Sequence, residues 1–146
     1  MKKKIIFTIL SILLLGVAWW LISPLFIIKE VYEPSPENNL AINSKLILSG
    51  ELQPKAHEVA GKVLILEQDN KKILRFENFE TINGPDLRIY LSTDLSAKDY
   101  VDLGEIKATK GNVNYEIDDS IDLEKYNKVL IWCRAFSVLF SYADLN

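Results

Sequence analysis

A long stretch without charge near the N-terminus constrains this 146-residue chain more than any other feature. Residues 5–28 contain no Asp, Glu, Lys, Arg or His, and 24 residues rising about 1.5 Å each extend roughly 36 Å as a helix. That length crosses the hydrocarbon core of a bilayer with some tilt. The sequence therefore predicts one transmembrane helix, which Pro24 ends or kinks.

Charge next to this span predicts its orientation. Three lysines, at positions 2–4, precede it, and basic residues close to a span favour the cytoplasmic side. We expect residues 1–29 to comprise a cytoplasmic lysine cluster and a cell-membrane anchor, with the rest of the chain outside the cytoplasm. Trp19 and Trp20 should then lie near the outer headgroups, where an indole ring places both its N–H and its apolar body favourably.

A cleaved signal peptide is the alternative interpretation of the same stretch. Its apolar region would be residues 5–15, and Gly16, Val17 and Ala18 offer a small-x-small cleavage site. Cleavage after Ala18 would leave the apolar sequence WWLI as a new N-terminus. Because such an exposed apolar N-terminus is unfavourable in water, we prefer the uncleaved anchor.

A short spacer separates the anchor from one folded domain. Residues 30–43 read EVYEPSPENNLAIN, and their two prolines and paired asparagines are typical of a semi-rigid linker. The remaining residues, 44–146, are enough for a single hydrophobic core. We expect them to form one extracytoplasmic domain.

Composition indicates that this domain neither binds nucleic acid nor is held together by disulfides. From residue 29 onward the chain has 14 basic and 20 acidic residues, and such a negative surface repels nucleic acid. Its only cysteine is Cys133, so an intramolecular disulfide is impossible and the domain must be held together by its core.

The pattern after the spacer predicts strands. Short apolar or alternating runs, rich in β-branched and aromatic residues, cover residues 44–52, 58–68, 71–79, 87–92, 112–117 and 128–141. Asp69 and Asn70 lie between two of these runs and tolerate the left-handed positions of a hairpin turn. Because no crossover helix of ten or more residues separates the runs, we predict an all-β, antiparallel sandwich or small barrel.

The last run, residues 128–141, is apolar on both faces and predicts a central strand. Side chains two positions apart share a face of a strand. The face predicted to form the main core contains Leu130, Trp132, Phe136, Val138 and Phe140.

Cys133 is the strongest candidate in the domain for a redox or metal-binding residue. A thiol can cycle through sulfenic acid or disulfide, or its thiolate can bind a metal or haem iron. The structural alternative is a small buried hydrophobe, and burial raises the pKa of a thiol. Arg134 would not help to ionise it, because neighbouring strand residues point to opposite faces.

The other polar candidates are less complete. His57 is the only histidine, so a blue-copper, zinc or Ser-His-Asp site lacks ligands or partners, and we predict no metal site and no catalytic turnover. The carboxylates of Asp118, Asp119, Asp122 and Glu124 offer calcium ligands, but they lack the twelve-residue spacing of a calcium loop, and capping of a helical turn by Asp119, Ser120 or Asp122 is the simpler explanation. Asn83, Gly84, Pro85 and Asp86 are explained as a tight turn.

Several segments together resemble a known family. They are AHEVAG from residue 56, LRFENF from residue 74, NGPDLRIYLS from residue 83, NYEI from residue 114 and VLIWCRAFSV from residue 129. They are similar to the electron-transfer domain of Skeletor-type, DOMON-associated proteins, the DM-thirteen family, over about residues 46–145. The blocks NGPDL-x-x-YLS and W-C-x-x-F make the resemblance specific, whereas Asp118 stands where many members have proline.

The resemblance implies a β-rich extracytoplasmic module that takes part in redox transfer at the cell surface with a redox partner protein. The family's single cysteine corresponds to Cys133, the suggested redox group, as a bare thiol or as a haem ligand, with His57 as a possible contributor. The motif residues carried over from the family are Asn83, Gly84, Pro85, Asp86, Tyr115, Trp132 and Phe136. The alternative function is a surface binding or scaffolding sandwich in which Cys133 only packs.

Overall fold

The computed structural model describes residues 2–23, 27–35 and 44–146. These residues form one α-helix and ten β-strands. The elements are α1 (Lys2–Ile22), β1 (Glu30–Tyr32), β2 (Lys45–Glu51), β3 (Gln53–Pro54), β4 (Val59–Gln68), β5 (Lys71–Thr81), β6 (Leu87–Ser92), β7 (Tyr100–Glu105), β8 (Lys110–Ile117), β9 (Lys128–Cys133) and β10 (Val138–Asp144).

The strands form two five-stranded sheets that pack as a sandwich. The first sheet has the order β1-β8-β5-β4-β2, and the second has the order β3-β10-β9-β6-β7. The pairings are antiparallel except that of β1 with β8, which is parallel. The all-β sandwich predicted from the strand pattern is confirmed.

The main core lies between the two sheets because alternate residues of each strand face inward. Val63 and Phe76 of the first sheet and Ile89 and Ile131 of the second are fully buried in it. A smaller cluster lies on the opposite face of the second sheet, around Tyr90, Leu130 and Leu139. Thus β6 and β9 bury side chains on both faces.

The helix α1 has no buried residue, and its apolar side chains are exposed. It is long and apolar enough to cross a membrane by length and composition, a property that anchors and signal sequences share. It ends at Ile22, so Ile27 and Ile28 of the predicted span lie outside the helix. Pro24 lies outside the described residues.

The first sheet begins earlier than the predicted domain boundary. Glu30–Tyr32, the first residues of the predicted spacer, pair with β8, and the Glu33 N–H donates to the Asn112 carbonyl at 2.8 Å. Gly111 makes this pairing possible, because its φ is 117° and a Cβ there would overlap the Val31 carbonyl. Residues 36–43 of the predicted spacer lie outside the described residues.

The predicted hairpin around Asp69 and Asn70 is confirmed. These two residues connect β4 and β5, with φ of 50° and 61°. Two consecutive positive φ values are those of a type I′ turn, whose twist matches that of the flanking strands.

The prediction of one strand over residues 128–141 is wrong. Residues 134–137 form a turn between β9 and β10, and Ser137 has a φ of 53°. A bulge between Leu139 and Ser141 shifts the register again. As a result the predicted aromatic face does not exist: Trp132 packs in the smaller cluster and Phe136 is 55% exposed, while Cys133 belongs to the main core.

The connections between strands collect at two ends of the sandwich. We call one the cysteine end, because β9 finishes there at Cys133; it comprises residues 27–29, 55–58, 82–86, 106–109 and 134–137. The other, the acidic end, comprises residues 69–70, 93–99 and 118–127.

Candidate functional site

The two most specific sequence motifs meet at the cysteine end. Strand pairing sets Cys133 opposite Leu87 of β6 on one side and Val138 of β10 on the other. The loop of residues 82–86, which leads into β6, therefore lies against the turn of residues 134–137, which follows Cys133. The NGPDL and W-C-x-x-F motifs are far apart in the sequence, and the pairing of β6 with β9 brings them together in one site.

The sulfur of Cys133 lies inside this site without solvent contact. Its exposed fraction is 0%, and the thiol donates a hydrogen bond to the Pro85 carbonyl oxygen, with Sγ and O 3.1 Å apart. Burial raises the pKa of the thiol, and the carboxylate of Asp86 adds to the increase. The backbone N–H groups of Phe136 and Ala135 act in the opposite direction but do not outweigh burial. The sulfur is thus held as a protonated thiol.

Asp86 and Arg134 close the site from outside. Arg134 Nε donates to Asp86 Oδ2 at 2.7 Å, and the Arg134 backbone N–H donates to the Asp86 carbonyl at 3.0 Å. Asp86 has a φ of 58°, a left-handed conformation that Asp and Asn tolerate better than most residues. We call these two contacts the Asp86–Arg134 latch, because they join the loop to the turn that covers Cys133.

His57 reaches the same end of the sandwich through an aromatic contact. Its ring lies 4.0 Å from that of Phe140, centroid to centroid, at 55°. The backbone N–H groups of residues 55–57 all donate to the Phe140 carbonyl, at 3.0 to 3.2 Å. Gly84 lies on the same ring, where an added Cβ would come within 2.9 Å of Phe140 Cζ. Phe140 therefore separates His57 from the loop that contacts Cys133.

The remaining motif residues lie at different positions relative to Cys133. Phe136 is the exposed tip of the turn over Cys133. Tyr115 is buried in β8, where burial raises its pKa and its hydroxyl accepts from the Lys107 N–H at 2.8 Å. Trp132 lies on the opposite face of β9, near the Tyr90 ring. Trp132 thus packs on the face of β9 away from the sulfur, whereas Tyr115 belongs to the same main core as Cys133 and bonds to Lys107 of the cysteine end.

The acidic residues of the predicted calcium alternative are engaged in local turns. Asp118 accepts from the Ser120 N–H at 2.9 Å, and Asp122 accepts from the Glu124 N–H at 3.0 Å. Within residues 2–23, 27–35 and 44–146, no three His, Cys, Asp or Glu side chains come together as metal ligands.

Haem ligation by Cys133 does not fit the described geometry. A thiolate ligand needs open space for the iron beside the sulfur, whereas this sulfur is fully buried and hydrogen-bonded to the Pro85 carbonyl. The geometry is that of a closed site around a bare thiol.

Comparison with protein families identifies the domain. The family model described as Electron transfer DM13 matches residues 51–145. The chain belongs to the DM13 family. Comparison with curated proteins and with solved structures found no match.

DM13 membership confirms the resemblance found in the sequence and indicates a role in redox or electron transfer. The match ends one residue after β10, so it includes the whole cysteine end except residues 27–29. The contacts of two residues near this site escaped the sequence analysis. Arg134 was dismissed because strand alternation was extended through what is in fact a turn, and Phe140 was assigned to the core without its contact to His57. The opposite charges of Asp86 and Arg134, one in each specific motif, were the available signal.

Proposed function

We propose that this DM13 protein is a membrane-anchored, extracytoplasmic electron-transfer module in which the sulfur of Cys133 is the redox group. The apolar helix α1 and the three lysines before the apolar run support the anchoring and its direction. One observation carries the assignment of the cysteine. The two specific motifs of the family converge on its sulfur, one supplying the carbonyl that binds it and the other the turn that covers it.

The closed site keeps the thiol unreactive, so the proposal requires the cover to open. Thiol–disulfide exchange needs a thiolate with a free line of approach. Release of the Asp86–Arg134 latch would let residues 134–137 move away and admit solvent to the sulfur.

The exchange step balances with a partner disulfide as the oxidant. The Cys133 thiol loses its proton to solvent, and the thiolate attacks one sulfur of the partner disulfide. A bond forms between the two proteins, and the partner's second sulfur leaves as a thiolate that takes up a proton. Cys133 is oxidised, and the partner's leaving sulfur is reduced.

A substitution of Asp86 by Asn tests this proposal on the full chain in detergent. Asn retains the left-handed conformation but removes the charge that holds Arg134 and raises the thiol pKa. We expect an uncharged aromatic disulfide to react with Cys133 about threefold faster or more in Asp86→Asn, at a rate above that of global unfolding. Reaction of both proteins only at the unfolding rate, measured in parallel by circular dichroism, would reject a redox role.

Asp99→Asn is the matched control for this experiment. Asp99 also joins two loops, through Lys125 Nζ at 2.9 Å, but at the acidic end. Its substitution removes the same charge and should leave the reaction of Cys133 unchanged. Equal acceleration by both substitutions would show a general loss of stability instead of an opened latch.

A binding or scaffolding sandwich is the second candidate function. The complete burial of Cys133 among apolar side chains favours it, since free cysteines often serve as small core residues. In that case Cys133→Ala changes only the free energy of unfolding, by about 1 kcal/mol. The reaction rates above discriminate the two functions, because a purely structural cysteine has no reactive open state.

A further inference from the structure

We propose that the cysteine end of the sandwich lies directly on the bilayer that holds α1, with apolar side chains in the interfacial layer. This inference rests on the anchoring proposed above and adds the partner of that end of the domain. It follows from where the chain enters the domain, which apolar side chains are exposed, and how charge is distributed.

The chain enters the sandwich at the cysteine end. Lys29 is fixed there by Thr109, whose Oγ1 accepts from the Lys29 N–H at 3.0 Å and whose own N–H donates to the Lys29 carbonyl at 2.8 Å. Only three residues separate Ile27 from Ser23, at the end of the helix. Four Cα–Cα steps of about 3.8 Å cannot exceed roughly 15 Å, whatever path they take. A membrane-spanning α1 therefore holds this end close to the headgroups.

Exposed apolar side chains are concentrated at the same end. Among the described residues outside α1, eight large hydrophobic side chains are exposed, and four of these lie at the cysteine end. Their exposed fractions are 57% for Ile27, 74% for Ile28, 41% for Ile82 and 55% for Phe136. The loops of the acidic end contain none, although the exposed Tyr100 opens β7 directly after one of them. Ile27, Ile28 and Ile82 line one shallow groove of about 270 Å³.

The loops of the cysteine end also carry a net positive charge, and those of the acidic end a net negative charge. The connections of the cysteine end contain four basic and two acidic residues, whereas those of the acidic end contain two basic and seven acidic residues. The basic residues of the cysteine end are Lys29, Lys55, Lys107 and Arg134. Of these, Lys107 and Arg134 are ion-paired with Glu33 and Asp86. Exposed apolar side chains on a surface with an excess of basic groups are typical of proteins that bind the membrane interface, where acyl chains and anionic headgroups meet. The opposite end is repelled by such a surface.

Fluorescence quenching on the full chain in vesicles tests this orientation. The vesicles contain phosphatidylcholine, phosphatidylglycerol and a lipid with a nitroxide near its headgroup. In a Cys133→Ala background, a small fluorophore is attached through Ala135→Cys at the cysteine end or through Lys98→Cys at the acidic end, both exposed positions in turns. We expect at least about twofold stronger quenching at position 135, because nitroxide quenching needs close approach to the interface.

A longer connection between α1 and the sandwich tests whether the cysteine end binds lipid or is only held near the membrane by the short chain. About twelve Gly and Ser residues inserted between Ser23 and Ile27 allow the domain to turn freely. If the end binds lipid, the preference for position 135 persists and is lost in the same chain with Ile28→Ser, Ile82→Ser and Phe136→Ser. Should the triple variant fail to fold by circular dichroism, Phe136→Ser alone replaces it, since that side chain is exposed.

Equal quenching of the two positions in the lengthened wild-type chain would overturn this inference. The anchoring is checked separately by flotation of the vesicles. A chain that floats with the vesicles but shows equal quenching refutes the orientation alone. A chain that does not float refutes the anchor and the orientation together, while the reactivity of Cys133 in detergent still reports on the redox proposal.

Discussion

The thiol of Cys133 is controlled by groups that oppose one another at close range. Burial and the Asp86 carboxylate favour the neutral thiol, and two N–H groups of the following turn favour the thiolate. Arg134, the nearest residue in sequence, has its charge engaged by Asp86. The site therefore favours the neutral thiol while the latch is closed, and the two contacts of the latch hold the turn of residues 134–137 in place.

The raised pKa of Cys133 makes stability depend on pH in a defined direction. In the unfolded chain the thiol ionises near its ordinary pKa of about 8.5, while the folded protein still retains the proton. Above that pH the unfolded state binds fewer protons, so the free energy of unfolding falls as pH rises toward the folded pKa. We expect the difference in unfolding free energy between the wild type and Cys133→Ala to decrease above about pH 8.

Urea titrations of the two proteins at a series of pH values from neutral to alkaline measure this difference. Tyrosine and lysine titrations are common to both proteins and cancel in the comparison. A difference that stays constant throughout would mean that the thiol has the same pKa in the folded and unfolded chains, and the closed description of the site would then be wrong.

The central residues of the site could be identified from sequence, but their arrangement could not. Cys133 and Asn83–Asp86 carried motifs, so sequence analysis found them. The hydrogen bond from sulfur to Pro85 depends on the pairing of β6 with β9, and register between distant strands leaves no local trace. Their assignment as functional residues stays a prediction.

At the scale of elements, strand signals succeeded where apolar runs were bounded by turn residues. The β6 strand was predicted without error, and the hairpin of β4 and β5 followed from Asp69 and Asn70. The turn after Cys133 was missed because residues 134–137 contain no Gly, Pro or Asn and interrupt an apolar run. The strands β1, β3 and β7 were missed; all three lie at sheet edges and have at most six residues, too few to show a sustained alternating pattern.

The edge strand β1 depends on one glycine, which gives a testable prediction. In Gly111→Ala the new Cβ meets the Val31 backbone and the φ of 117° is strained. We expect β1 to detach, so that the amides of Glu33, Thr109 and Lys110, which bond across this junction, exchange hydrogen faster. Hydrogen exchange followed by mass spectrometry measures this directly.

Gly104→Ala is the control for backbone strain in that experiment. Gly104 has nearly the same φ, 119°, but a Cβ there meets nothing within 4 Å. Both variants should lose stability, and only Gly111→Ala should expose the amides around β1. Similar exchange in the two variants would show that strain, and not the close approach of Val31, holds the junction together.

In the whole molecule, the folded domain begins before the spacer that the composition suggests. Pro34 and Pro36 indicate a spacer, yet the chain before them completes the sandwich. Arg75, only 3% exposed, donates to the carbonyl oxygens of Glu33 at 3.3 Å and Pro34 at 3.2 Å. A buried guanidinium needs such acceptors, because an unpaired buried charge is strongly unfavourable. Residues 27–35 thus act as part of the domain.

This division predicts how two shortened chains behave. A chain beginning at residue 27 should unfold at the same urea concentration as the full chain, because α1 buries no side chain. A chain beginning at residue 44 lacks β1 and leaves Arg75 without two acceptors, so its free energy of unfolding should fall by about 2–4 kcal/mol. Urea titration followed by far-ultraviolet circular dichroism compares the two. Equal midpoints for both chains would show that residues 27–43 are only a spacer, and that the sandwich, with its buried cysteine, is complete from residue 44.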